Sequence, residues 1–64
     1  MKKNVLIIED EKHSRTALIN ITKKCDENCN IFDTDNVSEA YRYAMEQDID
    51  LFLIDIILDK QNRH

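Results

Sequence analysis

The chain has 64 residues, of which 42% are hydrophobic, and a formal net charge of −4 at pH 7. Its length limits it to one small domain or part of one, and it is too apolar to be disordered. The negative charge argues against direct binding to nucleic acid, whose phosphates would repel the protein. Because glycine and proline are both absent, glycine-rich phosphate loops such as Walker A are excluded.

The cysteines and the N-terminus indicate where the protein works. Cys25 and Cys29 stand four residues apart, and no Cys or His pair elsewhere in the chain completes a metal site. We interpret them as ordinary thiols in a reducing compartment. Lys2 and Lys3 are followed by only four apolar residues, 5–8, which is too few for a signal peptide or a membrane span. The sequence therefore predicts a cytoplasmic protein without membrane contact.

The predicted elements begin with a strand and a helix. Residues 4–8 contain the apolar run VLII, which ends in three acids, Glu9, Asp10 and Glu11. The spacing of apolar residues then predicts a helix over residues 12–24. Acids precede this helix and two lysines close it, as the helix dipole favours. Its apolar positions are Ala17, Leu18, Ile21 and Cys25.

A weaker strand and a second helix follow. Residues 30–34 form the weaker strand, with only two large apolar side chains. Asn36 followed by Glu39 has the pattern of a capping box, which predicts the start of a helix that ends near Gln47. Tyr43 is predicted to lie on the surface of this helix. The positions predicted to face the core are Val37, Ala40, Tyr41, Ala44 and Met45.

The order strand, helix, strand, helix, strand predicts an α/β fold with parallel strands. The third strand, 51–54, has the run LFLI followed by Asp55. Strands buried on both faces are apolar throughout, so the first and third are predicted to be central and the second an edge. We expect a sheet of order 2-1-3 with helices on opposite faces. Because the third strand is as apolar as the first, it is expected to pair with a further strand. Residues 1–64 are therefore predicted to be part of a larger domain.

The predicted strand order brings acidic residues together. The carboxyl ends of the first and third strands are adjacent in a 2-1-3 sheet, so Glu9 and Asp10 are expected beside Asp55. Three close carboxylates repel one another, and a hard divalent cation relieves that repulsion, with Mg²⁺ the best fit. The alternative is that these acids are solvated turn residues. The metal site is favoured because Glu9 and Asp10 directly follow the apolar run of the first strand and Asp55 directly follows that of the third.

These residues resemble the receiver domain of bacterial two-component response regulators. The resemblance lies in VLIIEDE, in Arg15 five positions after Asp10, in NVSEAYRYA and in FLIDIIL, and it extends to about Leu58. It implies a flavodoxin-like fold, of which residues 1–64 would be a truncated part without the output domain. It also implies a sensor histidine kinase as partner. The chain would then be a phosphoacceptor, and not an enzyme that acts on a separate small molecule.

The resemblance also implies roles for individual residues. Asp55 would take a phosphoryl group from the phosphohistidine of the kinase and form an acyl phosphate. Asp10 would bind Mg²⁺ directly and Glu9 through a water molecule. Asp55 itself and the backbone carbonyl of Ile57 would complete the protein ligands. The metal would neutralise the phosphoryl oxygens so that a carboxylate can approach them.

The sequence departs from the family pattern in two respects. The hydroxyl residue that ends strand four and the lysine that ends strand five have no counterpart among the 64 residues. Asp59 stands where many receivers have a proline. Regulators with LytTR-type DNA-binding output often lack that proline and carry Asp-Ile, as Asp55 and Ile56 do here. A regulator of that type is our subfamily hypothesis.

Two other functions remain open. The first is an interaction module, a half domain that self-associates and has no phosphotransfer competence. A homo-oligomer formed through the exposed edge of the third strand is expected in any case, because that edge is apolar. The second is a small Mg²⁺-dependent hydrolase of the related phosphatase type. That class requires a second Asp two residues after the nucleophile, and Ile57 holds this position.

Overall fold

The computed structural model describes residues 2–55. Helices and strands alternate along this part of the chain in the predicted order, and their ends differ from the predicted ones by no more than a residue. The elements are β1 (Lys3–Glu9), α1 (Lys12–Cys25), β2 (Cys29–Thr34), α2 (Val37–Glu46) and β3 (Leu51–Asp55). Neither of these helices is long and apolar enough to cross a membrane.

The strands form one parallel sheet of order β2-β1-β3. β1 lies between the other two and pairs with both in parallel register. Its central position explains its sequence, since a strand covered on both faces and both edges leaves no site where a polar side chain meets water. The predicted α/β class, the parallel pairing and the strand order are therefore confirmed.

The core is divided between the two faces of β1. Val5 and Ile7 belong to the cluster that packs under α1, while Leu6 and Ile8 belong to the cluster that packs under α2. Successive side chains of a strand point to opposite faces, so the two helices lie on opposite sides of the sheet, as predicted. Leu6 and Ile7 are completely buried, which contributes about 1.5–3 kcal/mol for each side chain.

The buried face of α1 differs from the predicted one. Leu18 packs against the sheet as expected, but so does Ile19, which the spacing argument did not select. Ala17, Ile21 and Cys25, which the helical spacing grouped with Leu18, are exposed. The helix carries apolar residues over a wider arc than this narrow sheet covers, so periodicity alone could not fix which part of the arc is buried.

The prediction for α2 was also wrong in part. Ala40 is buried as expected, but Tyr43, predicted to be at the surface, packs on the ring of Phe32 with 5.3 Å between the ring centroids. Two of the other large apolar side chains, Val37 and Tyr41, line an open groove with Ile8 of β1 and side chains of β3 and stay exposed there. The residues that are exposed against expectation are Val37, Tyr41 and Met45.

Candidate functional site

The carboxyl ends of β1 and β3 form the candidate site. Glu9 is the last residue of β1, and it stands opposite Asp55, the last residue of β3, in the parallel register. Asp10 follows in the bend between β1 and α1. The structure thus places the three acidic residues singled out from the sequence at one edge of the sheet. Their proximity follows from the order β2-β1-β3, which makes the two strands neighbours.

Glu9 is the most buried of the three acids, with 4% of its surface exposed. Its Oε2 accepts a hydrogen bond of 2.9 Å from the backbone N–H of Glu11. Its Oε1 is buried and has no hydrogen-bond partner among the described residues. A buried carboxylate oxygen without a partner is unfavourable unless it is protonated or bound to a cation. This oxygen is the structural feature that fits a cation at this edge.

The pKa of Glu9 is raised above its ordinary value of 4.5. The strongest single influence, the hydrogen bond from the Glu11 backbone, lowers this pKa, but burial and the neighbouring carboxyl groups together outweigh it. Of these neighbours Asp55 acts more strongly than Asp10, and its charge opposes ionisation of Glu9. The repulsion expected from the sequence is therefore present at Glu9, and a bound cation would relieve it.

Glu11, the third acid of the run, has a different task. Its Oε1 accepts a 2.7 Å hydrogen bond from the backbone N–H of Ser14, and this bond caps the N-terminus of α1. The bonds from Ser14 and His13 lower the pKa of Glu11 to about 2. Glu11 thus fixes the start of the helix that follows the site, which explains why an acid is useful here although it is no candidate ligand.

Arg15 takes part in the site in a way that the sequence did not reveal. Its Nη1 donates a 2.9 Å hydrogen bond to the backbone carbonyl of Glu9. Its Nε lies 3.3 Å from Oδ2 of Asp33 in β2. The sequence offered Arg15 only as part of a family pattern and gave no signal for Asp33, since the contact depends on how α1 crosses the sheet.

The predicted metal ligands are close but do not form a closed cluster. Within residues 2–55, no group of three or more His, Cys, Asp or Glu side chains has an arrangement that could hold a metal ion. Ile57, whose carbonyl was predicted as a further ligand, lies outside the described residues. The assignment of Glu9, Asp10 and Asp55 as ligands, and of Asp55 as phosphoacceptor, therefore stays a prediction that the strand register supports.

The comparisons with known proteins agree with this architecture. A parallel α/β sheet of order 2-1-3 with one helix on each face is a partial flavodoxin-like fold. The family model of the response regulator receiver domain matches residues 5–62, and the chain belongs to this family. No curated protein and no solved structure matched the chain.

Proposed function

We propose that the chain accepts a phosphoryl group on Asp55 from a sensor histidine kinase, with Mg²⁺ bound at Glu9 and Asp10. Membership of the receiver family makes the chain a module of two-component signalling. The observation that carries the assignment of the site is the register of β1 and β3, which sets Asp55 directly opposite Glu9. LytTR-type output belongs to the same proposal and rests on the sequence alone.

The proposed acceptor differs from its neighbours in accessibility. Asp55 is exposed, Asp10 is half-buried and Glu9 is buried, so a donor meets Asp55 first. In the transfer, an oxygen of the Asp55 carboxylate forms the new bond to phosphorus. The bond between phosphorus and the imidazole nitrogen of the kinase breaks, and the imidazole keeps that electron pair. The product is an acyl phosphate on a side chain of this chain and not a released small molecule.

Glu9 and Asp10 would hold the metal. Oε1 of Glu9, which has no partner within residues 2–55, is the buried oxygen that a cation or its bound water would satisfy, and the proposed carbonyl ligand of Ile57 would add to it. When bound, Mg²⁺ supplies positive charge that offsets the negative phosphoryl oxygens. The backbone N–H of Glu11 holds the other oxygen of Glu9 in place, so this carboxylate is already oriented.

Phosphorylation of the purified chain tests the proposal. With Mg²⁺ and a small acyl phosphate donor, intact-mass spectrometry is expected to show one added phosphoryl group, formed slowly because the family's lysine and hydroxyl residues are not among the 64 residues. Asp55→Asn should abolish the adduct. Asp48→Asn is the matched control, since Asp48 is exposed and its carbonyl contacts Asn4 near the start of β1. An adduct that survives in Asp55→Asn would exclude Asp55 as the acceptor.

The exposure of β3 favours a second candidate function, a self-associating module. Leu51, Phe52 and Ile54 are 48%, 46% and 67% exposed, and among the described strands β3 pairs only with β1. An apolar edge of this kind is a template for pairing with another chain. We propose that two copies pair through β3 in antiparallel fashion about a two-fold axis. Such a dimer is compatible with phosphotransfer, and it would be the main function if Asp55 were never phosphorylated.

A further inference from the structure

Arg15 joins three elements at the edge of the sheet that carries the acids. It lies in the second turn of α1, and its guanidinium contacts the end of β1 through the Glu9 carbonyl and β2 through Asp33. The side chain of Arg15 is only 19% exposed, whereas that of Asp33 is 41% exposed. The guanidinium is therefore held by a hydrogen bond to the backbone that carries the proposed ligands and by an ion pair with the partly exposed Asp33.

The bond to the Glu9 carbonyl has a direct consequence for Asp10. That carbonyl belongs to the peptide group between Glu9 and Asp10, so the hydrogen bond fixes the plane of this peptide and the direction in which Asp10 leaves β1. The planar fork of a guanidinium can bind the carbonyl and a carboxylate at the same time, which a lysine ammonium does with less geometric control. Asp33 holds the fork in the required orientation.

We propose that Arg15 is a positioning residue for the metal and phosphoryl site, which acts by fixing the Glu9–Asp10 peptide and is itself oriented by Asp33. This inference rests on the proposed function, because it concerns the same ligands. It also makes a prediction that opposes simple electrostatics. A permanent cation near carboxylates repels Mg²⁺, so a purely electrostatic role predicts tighter Mg²⁺ binding when Arg15 is removed. A positioning role predicts weaker binding.

The test is a Mg²⁺ titration followed by backbone amide NMR. Arg15→Met is expected to weaken Mg²⁺ affinity about tenfold, the lower end of what loss of a group that orients a ligand causes. Arg15→Lys keeps the charge, and its Mg²⁺ affinity is expected to lie between that of the wild type and that of Arg15→Met. Arg42→Met is the matched control. It removes the same charge from an exposed arginine of α2 that pairs with Glu39, and it should leave the affinity unchanged.

A double-mutant cycle with Asp33→Asn tests how Arg15 acts. As a single variant, Asp33→Asn should weaken Mg²⁺ binding. In the Arg15→Met background it should cause no further loss of affinity, because both changes release the same peptide. Arg15→Lys keeps the test informative if Arg15→Met fails to fold, because it loses the planar fork without a change of charge. In the absence of Mg²⁺, the Asp10 amide resonance should move in both single variants and not in Arg42→Met.

The outcomes separate this inference from the proposed function. Wild-type affinity or tighter binding in Arg15→Met and Asp33→Asn, or losses that add in the double variant, would overturn the role of Arg15 and leave the Mg²⁺ site standing. A wild-type chain whose amides do not respond to Mg²⁺ would overturn both. Loss of affinity in the Arg15 and Asp33 variants with a normal Arg42→Met supports both.

Discussion

Glu9 and Asp55 face each other as the last residues of two neighbouring parallel strands, yet one is buried and the other exposed. This asymmetry divides two chemically similar carboxyl groups between two tasks. The buried one, with its pKa raised and one oxygen unpartnered among the described residues, is suited to hold a cation. The exposed one can meet a phosphoryl donor.

Magnesium is expected to bind weakly at the carboxyl ends of β1 and β3. In a titration followed by amide NMR, the largest shifts should fall at Glu9, Asp10 and Asp55. Asp10→Asn should weaken binding about tenfold or more, since it removes one charged oxygen ligand of a cation that depends on few carboxylates. Asp48→Asn, at the opposite end of the sheet, should not. Largest shifts outside the strand ends would show that the metal binds elsewhere.

Without Mg²⁺, the free energy of unfolding should fall as pH rises above about 4.5, the ordinary pKa of Glu9. Because the native pKa is raised, the folded chain still holds the Glu9 proton at pH values where the unfolded chain has lost it. The folded state then binds more protons, and its stability decreases with pH in this range. Glu9→Gln should remove this decrease. Urea unfolding at a series of pH values, followed by circular dichroism, measures the effect.

Glu11 supplies the contrast for that experiment, because its pKa is shifted in the opposite direction, to about 2. The folded chain loses the Glu11 proton before the unfolded chain does, so this group stabilises the fold above about pH 4.5, and its contribution is lost as pH falls towards 2. Glu11→Gln should flatten only this lower range. If Glu9→Gln changed the lower range instead of the upper one, the raised pKa would be wrongly assigned.

Asn36 is expected to stabilise the start of α2. Its Oδ1 accepts a 2.8 Å hydrogen bond from the backbone N–H of Glu39, which satisfies one of the free amides of the first turn. Asn36→Ala should reduce the free energy of unfolding by about 1 kcal/mol, whereas Asn36→Ser should retain most of it. Urea unfolding of the three proteins gives both numbers. Equal losses for Ala and Ser would mean that the side-chain cap contributes little.

Association through β3 is expected to depend on its exposed apolar side chains. Sedimentation equilibrium over a range of concentrations should show a mass above the 7.6 kDa of one chain. Ile54→Lys should shift the equilibrium towards the monomer, because a charge on the edge opposes strand pairing. Ile21→Lys is the matched control, since Ile21 is 57% exposed but lies on α1. A folded 7.6 kDa species with unfolding independent of concentration would contradict the dimer.

The architecture could be predicted from two short apolar runs. VLII in β1 and LFLI in β3 lack polar residues, and such strands are typical of the buried middle of a parallel sheet. β1 is buried in this way, whereas β3 is largely exposed and pairs only with β1 among the described strands. Together with the alternation of elements, this predicted the order β2-β1-β3 and hence the neighbourhood of Glu9 and Asp55. The position of the acids followed from topology, which needs no knowledge of side-chain packing.

The helix faces and the inner contacts of the site needed the tertiary structure. Periodicity states which residues share a face of a helix, but not how much of that face a neighbouring sheet covers, so Tyr43 and Tyr41 were predicted the wrong way round. The contact of Arg15 with Asp33, and the buried oxygen of Glu9 that has no partner in the described part of the chain, depend on distances between separate elements. The sequence by itself determined the strands, their order and the acids at their ends, because burial on both faces leaves a pattern in the residues. Only the packing of helices on the sheet decided which side chains hold those acids in place, because that depends on three-dimensional fit between segments.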